Sequence, residues 1–527
     1  MPIFPNVRLV AAIGAGKAAG LASRVLHAGG GTTLPGLVAR RIAPDTLRLL
    51  SAKLPGGVIV IGGTNGKTTT TRMIATLLSA AGRRVLHNRA GANLVTGLTT
   101  TVLAGSTLAG HLHADTALFE TDEAALPQAL AETQPSLVVL HNLFRDQLDR
   151  YGEVDTIASK WRGALEQLPA SATVLLNADD PAVAALGEGL QARVCYYGLE
   201  DLRQSGGGAT HFADSQFCRR CGARYTYSAL FYAHIGHYVC PNCGHRRPTP
   251  DFRLERLDLD GTAASRLFIA FPAGYAGIHD SSDSVDWSQP NDAQPAAAIG
   301  YLEIRLPLPG LYNALNALAA AAAGLLLGVA PQRIRDTLET FSAAFGRIER
   351  IDAHGKPLFM ALIKNPVGAS ETVRMLTSSV VSGPLSVAEN HTGLAPSIVS
   401  SQLPVTENHG QRTTDNGLHL LVAINDKYAD GTDVSWLWDA DFERLAGHVA
   451  GAVVSGTRAA DMAVRLKYAG IDPTLIVAEP DLARALDLAL ERLPAGATLY
   501  TLPTYTAMLE LRAELVRRGW AKPFWED

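Results

Sequence analysis

The sequence predicts an α/β fold. We expect a doubly wound, mainly parallel central sheet with an inserted cysteine-bearing ribbon, followed by a Rossmann-like α/β C-terminal domain. Short apolar runs alternate with stretches of helical periodicity, a pattern typical of parallel sheets. A glycine-rich loop joins the first such run to a helix, and polar clusters follow three later runs. Because ligands of these sheets lie beyond the carboxyl ends of the strands, the clusters indicate a functional site.

Bulk composition restricts the class of protein. The chain has 527 residues, of which 47% are hydrophobic and 18% charged, as in soluble globular proteins. Its net charge of −4 argues against a general binder of nucleic acids or anionic membranes, although a local basic patch stays compatible with it. Neither a secretory leader nor a membrane span is predicted, so we expect a cytoplasmic protein.

The domain organisation follows from shifts in pattern along the chain. A helical lead-in gives way to the central domain, and a second α/β unit follows near the C-terminus. Strands of that unit are expected at 420–424, 452–454 and 474–477, whereas 205–300 interrupts the alternation of strands and helices. The stretches 272–300 and 383–414 predict surface loops. The expected boundaries are 1–55, 56–330 with the ribbon at 215–248, and 345–527.

The loop after residues 58–61 has the context of a phosphate-binding loop, because it lies between a buried strand and a helix. Lys67 would add positive charge, Thr68 would offer a hydroxyl to Mg²⁺, and the helix N-terminus would attract phosphate. The pattern G-x-x-x-x-G-K-[ST] fails only at its first glycine, which is Ile61 here. An ordinary glycine-rich turn is the alternative, and it is disfavoured by the Gly-Lys-Thr-Thr run. The candidate loop residues are Gly63, Thr64, Asn65, Gly66, Lys67, Thr68 and Thr69.

Polar clusters end three predicted strands. Glu120 follows the run 116–119, a second cluster at 141–150 follows 137–140, and a third at 177–181 follows 173–176. A surface carboxylate is the alternative for each acidic residue. It is weak for Glu120, which follows apolar residues at a strand end, and stronger for Asp122 and Asp149. The three clusters and the glycine-rich loop are therefore expected to lie at one edge of the sheet.

Four of the five cysteines form two closely spaced pairs, and eighteen residues separate the pairs. This C-x₂-C-x₁₈-C-x₂-C spacing is typical of structural zinc sites, in which four thiolates close a tetrahedron. A catalytic zinc is disfavoured because no coordination position stays open. The fifth, Cys195, is expected to pack in the core. The predicted ligands are Cys218, Cys221, Cys240 and Cys243.

Together these residues resemble the Mur ligase superfamily and, within it, the MurT family. The superfamily motifs are GTNGKTT at 63–69, the strand-end Glu120, FRDQLDRYGE at 144–153, NADDP at 177–181 and YNALNALAA at 312–320. The four-cysteine ribbon, ALIKNPVG at 361–368 and NDKYADGTDVSW at 425–436 narrow the resemblance to MurT. The resemblance runs from about residue 15 to 515, apart from the two long loops.

The resemblance implies an ATP-dependent carbon–nitrogen ligase. Its substrate would be the D-glutamate of lipid II, or of a related peptidoglycan precursor, whose α-carboxyl group would become an amide through an acyl phosphate. Ammonia would come from a GatD-like glutaminase in a heterodimer, and the lipid-linked substrate would bring the protein to the inner face of the membrane. The implied cofactors are ATP, Mg²⁺ and Zn²⁺.

The resemblance also assigns roles to residues. Lys67 and the glycine-rich loop would hold phosphates, and Thr68 and Glu120 would hold Mg²⁺. Asp433 would orient the catalytic histidine of the glutaminase, with Asp430 and Asp439 as competitors and a simple turn role as the alternative. The nucleoside would contact Asp180, Asn313 and Asn316, and Arg145 and Asp146 would lie near the metal and substrate.

Three other functions stay open at this point. An amino-acid-adding ligase would share the ATP motifs, but the ribbon and the 425–436 stretch argue against it. A zinc-ribbon nucleic-acid-binding protein is suggested by the basic rim of the ribbon, and the acidic total disfavours it. A non-catalytic scaffold for the glutaminase would lack ATP turnover. The rim residues are Arg219, Arg220, Arg224, His245, Arg246 and Arg247.

Overall fold

The computed structural model divides into two compact units. The first comprises residues 1–348, 365–371 and 433–440, and the second comprises 349–364, 372–432 and 441–527. The structure describes residues 7–25, 33–88, 91–144, 153–206, 215–275, 299–342, 348–381 and 417–522.

Three helices precede the sheet of the first unit: α1 (Val7–Val25), α2 (Leu34–Ile42) and α3 (Thr46–Ser51). Pro35 lies in the first turn of α2, where its missing N–H costs nothing. Helix α1 packs on α2 through close glycine contacts, since a Cβ on Gly20 would lie 3.1 Å from the ring of Pro35. Within the described ranges, no helix is long and apolar enough to cross a bilayer.

The first unit is built on a nine-stranded sheet whose order is β11-β10-β9-β6-β5-β4-β1-β3-β2. Strands β1 to β6 and β9 pair in parallel, and β10 and β11 extend the sheet antiparallel. The strands are β1 (Val58–Gly62), β2 (Val85–His87), β3 (Thr116–Glu120), β4 (Leu137–Leu140), β5 (Thr173–Asn177), β6 (Arg193–Leu199), β9 (Phe252–Asp260), β10 (Ala264–Pro272) and β11 (Ile299–Leu306). The predicted parallel sheet is confirmed.

Helices cover both faces of this sheet. Ile59 and Ile61 of β1 enter one core, and Val58 and Val60 enter another, because alternate residues of a strand point to opposite faces. The first core includes α4 (Lys67–Ala80) and the almost fully buried α9 (Leu311–Leu326). The other helices are α5 (Val95–Ala104), α6 (Leu126–Thr133), α7 (Glu153–Leu165), α8 (Pro181–Ala184) and α10 (Pro331–Glu339).

The stretch 205–300 contains more regular structure than the sequence analysis predicts. A two-stranded hairpin, β7 (Thr226–Tyr232) and β8 (Ile235–Val239), belongs to the cysteine ribbon. Strands β9 and β10 then continue the main sheet instead of interrupting it. The exposed positions of β9 carry charged residues, so its sequence FRLERLDLD lacks the continuous apolar run of the parallel strands.

The second unit has a six-stranded sheet in the order β12-β13-β17-β14-β15-β16. Its strands are β12 (Ile348–Ala353), β13 (Lys356–Ala361), β14 (Leu418–Ala423), β15 (Val449–Ser455), β16 (Ile476–Ala478) and β17 (Leu499–Pro503). Its helices are α12 (Ala459–Tyr468), α13 (Leu482–Arg492), α14 (Tyr505–Arg517) and the part of α11 (Pro366–Val381) that follows residue 371. The strand predicted at 474–477 begins only at Ile476, because the side chain of Asp472 accepts the N–H of Thr474 and forms a 3₁₀ turn first.

Candidate nucleotide site and metal centre

The glycine-rich loop needs its glycines. Gly66 has φ of 90° and caps α4, and a Cβ there would lie 2.2 Å from Oδ1 of Asn316. Gly63 has φ of 139°, and a Cβ there would lie 2.9 Å from Cβ of His141. L-residues with side chains avoid such φ values. The loop therefore lies closely against the start of α9 and the segment after β4.

The segment after β4 holds the loop in place. Asn142 accepts the N–H of Asn65 through Oδ1 at 2.8 Å, and its carbonyl accepts the N–H of Thr64 at 2.9 Å. The hydroxyl of Thr64 accepts the N–H of Phe144 at 3.0 Å. Asn142 was not singled out from the sequence, although the 141–150 cluster contains it. This network fixes the loop before any ligand binds.

Lys67 is buried, in contrast to the solvated position that a phosphate-loop lysine suggests. Its side chain is 9% exposed, and Nζ donates to Oε1 of Glu123 at 2.8 Å and to the carbonyl of Gly63. Glu123 is held in turn, because the indole N–H of Trp161 donates to its carbonyl at 2.8 Å. Glu123 is a second residue that the sequence analysis did not single out. An acidic residue within a few positions of a strand-end carboxylate is the pattern that could have identified it.

Thr68 and Glu120 form a pair of oxygen ligands that fits Mg²⁺. The Thr68 hydroxyl lies 2.9 Å from Oε1 of Glu120, and both side chains are buried. Adjacent ligands of an octahedral Mg²⁺ at 2.0–2.1 Å are about 2.9 Å apart, so this spacing suits the ion. Asn88 positions Glu120 by accepting its N–H and donating to its carbonyl, both at 2.9 Å.

The predicted nucleoside contacts occupy different environments. Asn316 lies against the glycine-rich loop, and its buried Nδ2 has no hydrogen-bond partner among the described residues. The buried Nδ2 of Asn65 likewise has none, although its Oδ1 accepts from Asn365 at 3.0 Å within the same unit. Asn313 instead donates to the carbonyl of Pro309 at 2.7 Å. The Nδ2 groups of Asn65 in the loop and of Asn316 beside it are therefore two buried donors available to a ligand. The nucleoside contact of Asn313 stays a prediction.

Asp180 is fully buried, and protein donors already occupy both carboxylate oxygens. Oδ1 accepts the N–H groups of Ala182 and Val183 and caps α8. Oδ2 accepts the N–H of Leu143 at 2.9 Å and lies 3.2 Å from Nε2 of His234, at the tip of the ribbon hairpin. Asp180 therefore connects the ribbon to the segment that holds the phosphate loop, and its nucleoside contact also stays a prediction.

The candidate carboxylates for the glutaminase histidine, Asp430, Asp433 and Asp439, differ in exposure. Asp433 is exposed, and its Oδ1 accepts the N–H of Ser435 at 2.8 Å, so it does form the turn that was the alternative for it. In the second unit, Asp430 accepts from both the N–H and the hydroxyl of Thr506, in the first turn of α14. Asp439 is half-buried in the first unit. Arg145 and Asp146 lie outside the described residues.

The four cysteines come together as their spacing predicts. Their sulfur atoms all lie within 4.8 Å of one another, and the pairs Cys218–Cys243 and Cys221–Cys240 are 3.5 and 3.4 Å apart. Tetrahedral ligands at the usual Zn–S distance of 2.3 Å are about 3.8 Å apart. The donor set fits a structural zinc ion.

Ion pairs attach the ribbon to neighbouring parts of the first unit. Three rim arginines have acidic partners: Arg219 pairs with Asp155 at 2.6 Å, Arg220 with Glu188 at 2.8 Å, and Arg247 with the buried Asp179 at 2.6 Å. Since paired arginines are less available to phosphates, the nucleic-acid alternative loses support. Cys195 packs in the core as expected, and burial raises its pKa to about 11.

Comparisons with known proteins agree with this architecture. The Mur ligase middle domain model matches residues 61–221, and the MurT ligase C-terminal model matches residues 396–508. The chain is 33% identical, over 93% of both sequences, to the lipid II isoglutaminyl synthase (glutamine-hydrolyzing) subunit MurT of Streptococcus pneumoniae. It is 30% identical to the Staphylococcus aureus protein of the same name, over 92% of this chain and 93% of that one.

Solved structures show the same fold at lower identity. A pseudomurein peptide ligase type C from Methanothermus fervidus superposes with a TM-score of 0.57 and 19% identity, covering 89% of this chain and 80% of that one. This likeness covers most of the chain and concerns the fold.

Proposed function

This chain belongs to the MurT family, and from that membership we propose that it is the synthetase subunit of a lipid II isoglutaminyl synthase. It is an ATP-dependent amide ligase, and its reaction converts the α-carboxyl group of D-glutamate in lipid II to an amide. The observation that carries the proposal is the convergence of Lys67, Thr68 and Glu120 at one strand end, in a chain that matches MurT subunits along 93% of its length.

The chemistry requires an activated carboxyl group, because ammonia does not displace a carboxylate oxygen directly. A carboxylate oxygen attacks the γ-phosphorus of ATP, the bond to the bridging oxygen breaks, and ADP leaves. Ammonia then adds to the carbonyl carbon of the acyl phosphate, loses a proton, and phosphate departs with the C–O bond electrons. Phosphoryl transfer of this kind depends mainly on positioning and charge neutralisation.

The residues of the site would supply both the positioning and the charge neutralisation. Lys67 would exchange its contact with Glu123 for phosphate oxygens, and the loop N–H groups would hold the phosphates. Thr68 and Glu120 would hold Mg²⁺, which neutralises phosphate charge when bound. The buried Nδ2 of Asn316, which has no hydrogen-bond partner among the described residues, would donate to the nucleoside or the phosphates, because buried donors are normally hydrogen-bonded.

The four cysteines would bind one Zn²⁺ with a structural role. All four positions of a tetrahedral ion would be filled by sulfur, so no site for a reacting group would stay open. The ribbon hairpin reaches Asp180 through His234, which gives the metal an indirect part in holding the nucleotide site.

Ammonia would come from a GatD-like glutaminase partner, because the names of the S. pneumoniae and S. aureus proteins describe a subunit of a glutamine-hydrolysing enzyme. Asp433 is the favoured carboxylate for the partner's histidine, because it is exposed whereas Asp430 and Asp439 are half-buried. A carboxylate that accepts an imidazole N–H fixes the tautomer and stabilises the imidazolium ion.

One variant assayed with two nitrogen sources tests this proposal. Asp433→Asn in the complex with the glutaminase should lose glutamine-dependent amidation of lipid II, by as much as about 10⁴-fold, and keep amidation driven by ammonium chloride. Asp472→Asn is the matched control, since Asp472 is also exposed and also accepts an N–H two residues ahead.

The outcomes separate the alternatives. Equal loss with both nitrogen sources would place Asp433 in the synthetase site or in folding, and loss with neither would favour Asp430 or Asp439. Absence of ATP-dependent amidation by the wild-type complex with either source would refute the main proposal. Product formed only with an added amino acid would support the amino-acid-adding alternative.

A further inference from the structure

Helix α1 is apolar on two opposite faces. One face, which includes Leu9, Ile13 and Gly16, is buried against the neighbouring helices. The other face is exposed: Val7 is 80%, Leu21 64% and Val25 68% accessible. Helices of water-facing surfaces normally carry polar residues there. The outer face is formed by Val7, Ala11, Gly14, Ala18, Leu21 and Val25, which recur every three or four residues.

Basic residues flank this outer face, and acidic residues are missing from the sequence around it. Arg8 lies next to Val7 on one side of the face, and Lys17 lies next to Ala18 on the other, since each residue advances about 100° around a helix. Arg8 is exposed, and its Nε donates to the carbonyl of Ile42 at 2.6 Å. The first 44 residues contain five basic and no acidic side chains, whereas the other 483 contain 41 basic and 50 acidic ones. The charge of this end is therefore opposite to that of the rest of the chain.

Helix α2 presents the same combination. Leu34 and Leu37 are 42% and 41% exposed, and Arg41 is exposed one turn further along the helix. Arg40 contributes less, because it forms an ion pair with Glu132. Both N-terminal helices thus expose leucine side chains close to basic ones.

We propose that α1 docks by its outer face onto the surface of an anionic lipid membrane. The apolar side chains would enter the boundary between head groups and acyl chains, while Arg8 and Lys17 would reach lipid phosphates on either side. The spacing of three and four residues would also suit a contact with the same helix of a second copy of the chain. Such a helix pair needs opposite charges beside its seam, and here both flanks are basic, so the charges favour the membrane.

The inference stands on the helix alone and does not depend on the proposed reaction. A lipid-linked substrate would lie in the same surface, so docking would bring the active site to it. The overall net charge of −4 masks this local positive patch, which is why composition argues against membrane binding while the helix supports it.

Vesicle co-sedimentation of the full chain tests the proposal. The protein should bind vesicles of phosphatidylglycerol and phosphatidylcholine, bind pure phosphatidylcholine more weakly, and release when salt is raised from about 0.1 M to about 1 M. Leu21→Glu should weaken binding about tenfold or more, because it removes a leucine that would be buried in the lipid. Val464→Glu on α12 is the matched control, since Val464 is a 46% exposed apolar residue of the second unit.

Thermal melting of both variants checks that they fold. Equal binding to charged and uncharged vesicles, no binding to either, or equal loss in Leu21→Glu and Val464→Glu would overturn the proposal. So would a dimer in sedimentation equilibrium that Leu21→Glu dissociates without any vesicle binding, because the outer face would then be a contact between copies. Amidation of a water-soluble precursor with ammonium should be the same in Leu21→Glu and wild type, which separates this test from that of the reaction.

Discussion

Replacing Lys67 with alanine should destabilise the ligand-free protein as well as stop its reaction. The usual expectation for a phosphate-loop lysine is a solvated side chain whose loss leaves the fold intact. Here Nζ of Lys67 lies 2.8 Å from Oε1 of Glu123, and the two side chains are only 9% and 18% exposed. Lys67→Ala therefore leaves a largely buried carboxylate without its cation.

The size of the effect follows from this geometry. Two unit charges 2.8 Å apart attract by about 6 kcal/mol at an effective dielectric constant of about 20, before the cost of desolvation is subtracted. Removing one partner of a fully buried pair costs about 3–5 kcal/mol. Because water can still reach part of Glu123, we expect the free energy of unfolding to fall by about 2–3 kcal/mol.

A double-mutant cycle separates the structural from the chemical role. Glu123→Gln in the Lys67→Ala background removes the unpaired charge, so it should recover about 1–2 kcal/mol of stability without restoring ATP turnover. Urea unfolding measures the stability of the four proteins, and ADP release measures turnover. Arg84→Ala is the control, because Arg84 is 66% exposed in its ion pair with Asp115 and its loss should leave the urea midpoint close to that of wild type.

Two results would refute this reasoning. If Lys67→Ala unfolded at the same urea concentration as wild type, the ion pair would contribute nothing in solution. If the effects of Lys67→Ala and Glu123→Gln were additive, the two side chains would not interact. Either result would indicate that Lys67 is solvated in solution, as its motif suggests.

Three further predictions concern the metals and the ribbon. Glu120→Gln should lower turnover about 10²-fold or more and weaken the dependence on Mg²⁺, measured by ADP release in a Mg²⁺ titration; a normal titration would mean that Glu120 does not bind the ion. Purified protein should contain about one zinc per chain by metal analysis, retained in Cys195→Ser and lost in Cys221→Ser; equal zinc in both variants would contradict the four-cysteine site. His234→Ala should lower the free energy of unfolding by about 1.5–3 kcal/mol and raise the KM for ATP, because His234 and Asp180 are fully buried partners 3.2 Å apart. A loss of stability with an unchanged KM would mean that the ribbon contributes to folding and not to ATP binding.

Local sequence determined the features that depend on neighbours in the chain. The buried run of β1, the glycine-rich loop and the helix after it could be read in order, because apolar period, glycine and helix start all act within a few residues. The paired cysteines belong to the same class, since each pair lies on one tight turn, with Gly222 and Gly244 at φ of 74° and 71°. Strand β9 is hard to recognise from the sequence, because charged residues at its exposed positions interrupt its apolar pattern.

Tertiary structure decided which side chains meet at the site. The contact of Lys67 with Glu123 spans 56 residues, and that of His234 with Asp180 spans 54. No local period encodes such pairs, because they arise only when parallel strands bring their carboxyl ends to one edge of the sheet. The sequence by itself therefore determined the glycine-rich loop, the clustering of the four cysteines and the fold class. Only the folded chain decided that Lys67 is buried, that Asp180 is saturated with donors and that the outer face of α1 stays exposed to solvent.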